Sequence, residues 1–255
     1  MPASSPQALF DLRDRVAIVT GGSRGLGREI VLGFAQAGAD VVIASRKLDA
    51  CEELAREVEA TTGRRALAVQ CHVGHWDDCD ALADRAYEHF GHVDILVNNA
   101  GIGLPMPSLH EVSQEIFDKV LAVNLTGPFR LTTLVGTRMA ETGRGSIINM
   151  GSVAALRPTP NAIPYATSKA ALTTMTVAFA KAFGPAVRVN CIMAGTFITD
   201  ANSNWDQALF TQLSRRFALA RGAEPSEIVG TALYFASDAS SYTTGAVLSV
   251  EGGMP

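Results

Sequence analysis

Tyr165 and Lys169 stand four residues apart in Tyr-Ala-Thr-Ser-Lys, thirteen residues after Ser152. On a helix, residues i and i+4 share a face one turn apart. An ammonium held beside a phenol favours the phenolate, so this spacing predicts a tyrosine that ionises below its usual pKa of about 10. Such a tyrosine can pass a proton to or from a substrate oxygen near neutral pH. Taken alone, the pair also fits a helix with a half-buried tyrosine and a surface lysine.

A second constellation precedes it. The apolar run Val16–Thr20 leads straight into Gly21-Gly22-Ser23-Arg24-Gly25-Leu26-Gly27, and a helical stretch follows. Glycines at such a turn let the backbone approach a pyrophosphate, and a helix N-terminus offers free N–H groups to the phosphates. The spacing is GxxxGxG, neither GxGxxG nor the GK[ST] of a P-loop, and a plain glycine-rich turn is the alternative. About twenty residues on, an acid would hold the ribose 2′-hydroxyl of NAD. The chain has Ala44-Ser45-Arg46-Lys47 there. Without a carboxylate to repel a 2′-phosphate, and with the planar fork of Arg46 to bind it, NADP(H) is the expected cofactor. Arg24 is a second clamp for that phosphate. The other reading has Arg46 and Lys47 in an ordinary surface loop.

These residues need a scaffold. Short β-rich runs at Val16–Thr20, Asp40–Ser45, Ala66–Gln70, Asp94–Asn98, Ser146–Met150, Val187–Cys191 and Ala246–Val250 alternate with helical stretches near 26–37, 48–62, 76–90, 112–141, 163–183 and 225–236. Most runs are continuously apolar, as in parallel strands buried on both faces. The alternation predicts an α/β fold: one doubly wound domain of Rossmann type, with a seven-stranded, mostly parallel sheet and helices on both sides. Residues 1–10 read as a flexible tail and 11–255 as the domain. The irregular segment 196–219 is expected to be a substrate lid.

Composition narrows the function. The 255 residues are 47% hydrophobic and 18% charged, with a net charge of -4 and no basic block. That suits a globular protein and excludes nucleic acid as the main partner. No eighteen-residue apolar run predicts a membrane span, and the first ten residues do not read as a signal peptide. The four cysteines form no CxxC pair, which fits reduced thiols in a cytoplasmic protein. Cys71, His72, His75 and Cys79 cluster without zinc-type spacing, so no metal is expected.

From about residue 10 to 253 the chain resembles the short-chain dehydrogenase/reductase family. The resemblance rests on the glycine turn, Asn98-Asn99-Ala100-Gly101, Asn124, Ser152, Tyr165 with Lys169, Glu224-Pro225-Ser226-Glu227-Ile228 and Val250-Glu251-Gly252-Gly253. It implies a catalytic set of Asn124, Ser152, Tyr165 and Lys169. Tyr165 would be the acid in carbonyl reduction. Lys169 would hold the nicotinamide ribose and lower the Tyr165 pKa. Ser152 would hold the carbonyl oxygen, and Asn124 would anchor a water behind Lys169. Cofactor contacts would come from Gly21, Ser23, Arg24, Gly25, Leu26 and Gly27, then Ser45, Arg46 and Lys47, then His72, Val73, Asn98, Ala100 and Gly101. Gly195, Phe197 and Thr199 would sit beside the carboxamide.

Three positions depart from the family's pattern. His72 stands where a carboxylate usually meets the adenine amino group. Ala194-Gly195 replaces Pro-Gly, which frees φ there, and Glu251 replaces Asp. Ala154, Ala155, Leu156, Leu104 and Met106 are expected to form an apolar pocket wall for a small-molecule carbonyl compound or alcohol, with Arg157 available to an acidic group. The resemblance also implies a homotetramer built on the helices near 112–141 and 163–183. A 3-oxoacyl-[acyl-carrier-protein] reductase and a non-catalytic nucleotide-binding regulator are the alternatives.

Overall fold

Residues 5–103, 108–199 and 207–255 are described by the structure, a computed structural model. The strands are β1 (Val16–Thr20), β2 (Asp40–Ser45), β3 (Ala66–Gln70), β4 (Ile95–Asn98), β5 (Gly145–Ser152), β6 (Val187–Ala194) and β7 (Val247–Val250). They form one seven-stranded sheet in the order β3-β2-β1-β4-β5-β6-β7, and every pair is parallel. Strand order reverses between β1 and β4, and open α/β sheets place ligands outside the strand ends at such a switch point.

The α-helices among the described residues are α1 (Pro6–Leu9), α2 (Gly25–Gln36), α3 (Leu48–Thr62), α4 (Trp76–Phe90), α5 (Gln114–Leu121), α6 (Gly127–Thr142), α7 (Ile163–Phe183), α8 (Gln207–Ser214) and α9 (Val229–Ala236). Alternate strand residues face opposite layers. Ala17 and Val19 pack with Phe34 of α2, Leu54 of α3 and Phe235 of α9. Val16 and Ile18 pack with Leu82 of α4, Leu131 of α6 and Ala180 of α7. Burial on both faces is why the strand runs are continuously apolar.

Several boundaries differ from expectation. Residues 6–9 are helical, with the Ser5 hydroxyl accepting the Ala8 N–H at 3.2 Å, and Leu12 is buried. β5 and β6 run on to Ser152 and Ala194, pairing with each other throughout, so Ser152 ends a strand rather than starting a loop. The stretch near 225–236 divides into a 3-10 turn, Pro225–Ile228, and α9. Segment 196–219 contains α8, and 200–206 lie outside the described residues.

The stretch near 112–141 is not one helix. Ser113 caps α5 by accepting the Ile116 N–H. A π turn, Ala122–Thr126, then separates α5 from α6. Pro128 explains the slip: it has no N–H to give the carbonyl four residues back, which belongs to Asn124. The wider turn holds Val123 and Asn124 in the interior.

Candidate active site

The cleft is built where β1 and β4 end. The Thr20 hydroxyl donates to Val97 O at 3.2 Å and accepts from the Asn99 and Ala100 N–H groups at 3.0 and 3.1 Å. Asn99 Nδ2 donates to Thr20 O at 2.8 Å and Gly21 O at 3.1 Å. These bonds tie the two strand ends into one rim. Gly21 has φ +62, and a Cβ on Gly27 would stand 2.2 Å from Gly21 O. The turn therefore excludes a side chain at Gly27, and α2 starts with its first N–H groups at the cleft.

The cleft encloses about 1010 Å³. Gly21, Ser23, Arg24, Gly25, Leu26, Gly27, Ser45, Arg46, His72, Val73, Ala100, Gly101, Ser152, Tyr165, Lys169, Gly195, Phe197 and Thr199 line it. At the β2 end the Ser23 hydroxyl donates to Ser45 Oγ at 3.0 Å. Arg24 and Arg46 border the same cleft, and neither forms an ion pair with a described residue.

Other expected residues lie elsewhere. Asn98 is in the core, where its amide donates to Thr132 Oγ1 and Asn149 Oδ1 at 3.0 and 2.9 Å. Lys47 is exposed and precedes α3 as its N-cap. Ala154, Ala155, Leu156 and Arg157 do not line the cleft. Leu156 is 67% exposed, because the 3-10 turn Val153–Ala155 carries the following residues outward. Arg157 instead pairs with Glu251 at 2.7 Å. Leu104 and Met106 are outside the described residues. In their place Val153, Thr159, Asn161 and Ala162 form that side of the cleft. After Ala194, the Gly195 N–H donates to Val250 O at 2.9 Å, so strand pairing holds the backbone where proline was expected.

Ser152, Tyr165 and Lys169 border the cleft at the mouth of β5. Ser152 Oγ accepts the Ala154 N–H at 3.2 Å. Tyr165 is in the first turn of α7, and Lys169 is buried one turn on. Lys169 Nζ donates to Met150 O at 2.7 Å and lies 5.9 Å from the Tyr165 ring centroid. Burial lowers its pKa to about 8, and neighbouring Cys191 opposes that shift.

The expected ionised tyrosine is not what these contacts give. Burial raises the Tyr165 pKa above its ordinary value, and the hydrogen bond to Ser152 only partly offsets this. The phenol is therefore neutral at pH 7, a proton donor held by a serine. Lys169 lies towards the ring face and spends a hydrogen bond on a backbone carbonyl.

Asn124 holds the two parts together. Its Oδ1 accepts the Ile102 N–H at 2.8 Å, and its Nδ2 donates to Ile102 O at 2.9 Å and to Ser168 Oγ at 3.0 Å. The Ser168 hydroxyl donates to Tyr165 O at 2.7 Å. The π turn thus clamps the loop after β4 to the first turn of α7. Sequence reasoning missed Asn99 as the brace of the glycine turn, although Asn-Asn at the end of β4 was a legible signal. It also missed Lys119, which borders the cleft from α5; a single exposed lysine gave no signal.

Fold and cleft define an open, parallel α/β protein with its site at the strand-order switch. A family model described as Enoyl-(Acyl carrier protein) reductase matches residues 21–255. An uncharacterized oxidoreductase of Mycobacterium tuberculosis is 38% identical over 249 residues, 96% of this chain and 94% of that protein. A 3-oxoacyl-[acyl-carrier-protein] reductase of Chlamydia trachomatis is 36% identical over 244 residues, 95% of this chain and 98% of that one. A solved 7α-hydroxysteroid dehydrogenase, complexed with NADH and 7-oxo glycochenodeoxycholic acid, superposes with a TM-score of 0.94 at 34% identity, covering 98% of each chain. The chain belongs to the short-chain dehydrogenase/reductase family of oxidoreductases. Among the described residues, no helix is long and apolar enough to cross a membrane.

Proposed function

We propose that the protein is an NADP(H)-dependent oxidoreductase that interconverts a ketone and a secondary alcohol. The observation that carries this reading is one continuous cleft, with Ser152, Tyr165 and Lys169 at one end and Arg46 at the other. The residues fit the cofactor: the first turn of α2 would hold the pyrophosphate, and Ser45, Arg46 and Arg24 the 2′-phosphate. NADP(H) would supply the hydride. Ser152 positions the substrate oxygen, and neutral Tyr165 gives it a proton on reduction and takes it back on oxidation. Lys169, with a pKa of about 8, can exchange a proton near physiological pH.

The test is coenzyme consumption with a panel of ketones and alcohols, in both directions and with both cofactors. The reading expects at least one ketone to be reduced faster with NADPH than with NADH. Turnover with NADH alone would remove the assignment to NADP(H). The Chlamydia relative favours a second reading, a 3-oxoacyl thioester as the ketone, and the panel includes one. The exposed rings and branches of Phe129 on α6 and Val177 on α7 support a homotetramer through those helices. A monomeric mass by light scattering would refute it.

A further inference from the structure

His72 lies just beyond β3, at the end of the cleft opposite Tyr165 and beside Arg46. Its ring is fixed from two sides. The Gly74 N–H donates to Nδ1 at 3.2 Å, and the His75 ring stacks on it with centroids 4.3 Å apart and 18° between planes. The backbone is pinned too, since the His72 N–H donates to the Asp78 carboxylate at 2.8 Å.

An imidazole nitrogen that accepts a hydrogen bond carries no proton, so the neutral ring must carry its proton on Nε2. Protonating Nδ1 would set two donors, the ring N–H and the Gly74 N–H, against each other. Burial first, and then neighbouring His75, hold the His72 pKa below its ordinary value, against an opposing contact of the ring with its own backbone and the charge of Asp78. Nε2–H has no hydrogen-bond partner among the described residues, and the side chain borders the cleft.

This inference rests on the reading that the cleft holds NADP(H). With the nicotinamide at Tyr165, the far end of the cleft takes the adenine. We propose that His72 is a specificity-determining residue that presents an Nε2–H donor to the adenine, so that the base is held through an outer ring nitrogen, N1 or N7, rather than through its amino group. A carboxylate at this position would do the reverse, accepting from the amino group. The stacked His75 keeps the donor in one orientation, which reduces the freedom lost on binding.

Two measurements on the full chain test it. The first is a long-range 1H–15N correlation spectrum at pH 7, with the His72 signals assigned by their loss in His72→Gln. The expected result is the Nε2–H tautomer; an Nδ1–H tautomer or an imidazolium overturns the proposal. The second is calorimetric titration with NADP+ and with its 1-deaza- and 7-deaza-adenine analogues. Wild type should bind one analogue about tenfold more weakly than NADP+, the size expected for one lost hydrogen bond in a sheltered site. His72→Leu should bind that analogue and NADP+ alike, and His72→Gln, which keeps a donor near the Nε2 position, should restore the difference. Equal binding of all three ligands by wild type overturns the proposal whatever the variants do. If NADP+ itself fails to bind, the cofactor reading falls and the role at the adenine falls with it. The tautomer measurement judges the donor assignment independently of any cofactor.

Discussion

Lys169→Met should stabilise the fold and end turnover. Lys169 is buried, and its pKa falls from 10.5 to about 8 because burial disfavours the ammonium. Each pKa unit is worth about 1.4 kcal/mol, so holding the charged form at pH 7 costs about 3 kcal/mol relative to the unfolded chain. Methionine removes that charge at similar volume but leaves Met150 O without its 2.7 Å donor. The lost bond returns about 1–2 kcal/mol, for a net gain of about 1–2 kcal/mol. In a chain of this length that is a Tm rise of about 2–8 °C. The sign of the pH dependence is fixed. Above the folded-state pKa of about 8 and below the ordinary 10.5, the unfolded lysine binds a proton that the folded one has lost. Wild-type stability therefore gains on the variant as pH rises through that window, and the Tm gap narrows. Differential scanning calorimetry at pH 7 and pH 10, beside coenzyme consumption, reads both effects. A variant that melts lower at pH 7, with a gap that does not change with pH, would refute the argument from the buried charge.

Three further substitutions probe other parts of the account. Arg46→Asp should weaken NADP+ by about 1.5–3 kcal/mol, roughly 10- to 150-fold, from loss of one charge-assisted bond, and more from the added repulsion, while leaving NAD+ within about threefold; an unchanged ratio in fluorescence titration would place the 2′-phosphate elsewhere. Gly27→Ala should abolish coenzyme binding and lower Tm, because its Cβ would stand 2.2 Å from Gly21 O and 2.5 Å from Asn99 Nδ2; binding within a few-fold of wild type would contradict the close-packed turn. Asn124→Ala removes three hydrogen bonds at a fully buried position and should cost about 2–4 kcal/mol in urea unfolding; a loss under about 0.5 kcal/mol would mean that the clamp between the β4 loop and α7 is not structural.

Much of this was legible in the sequence because the signals were local. Parallel strands buried on two faces write themselves as apolar runs, and a helix spacing of four put Tyr165 over Lys169. The glycine turn announced the nucleotide end. What escaped depended on neighbours distant in the chain. Pro128 was visible, but the π turn it causes was not, since its stability comes from Asn124 bonding Ile102 and Ser168. The tyrosine's charge was misread because adjacency to lysine was visible while burial was not. Arg157 read as open to an acidic substrate because its partner, Glu251, lies 94 residues away. Asn98, read as a cofactor contact, serves the core through Thr132 and Asn149.

On the proposed reading, Tyr165 moves the proton while the rest of the cleft holds the coenzyme. This is tested most directly by Tyr165→Phe, which removes only the hydroxyl. NADPH affinity, read by fluorescence titration, should stay within about threefold of wild type, while coenzyme oxidation with the best ketone of the panel falls by about 100-fold or more. Turnover within a few-fold of wild type, with the coenzyme still bound, would contradict the account.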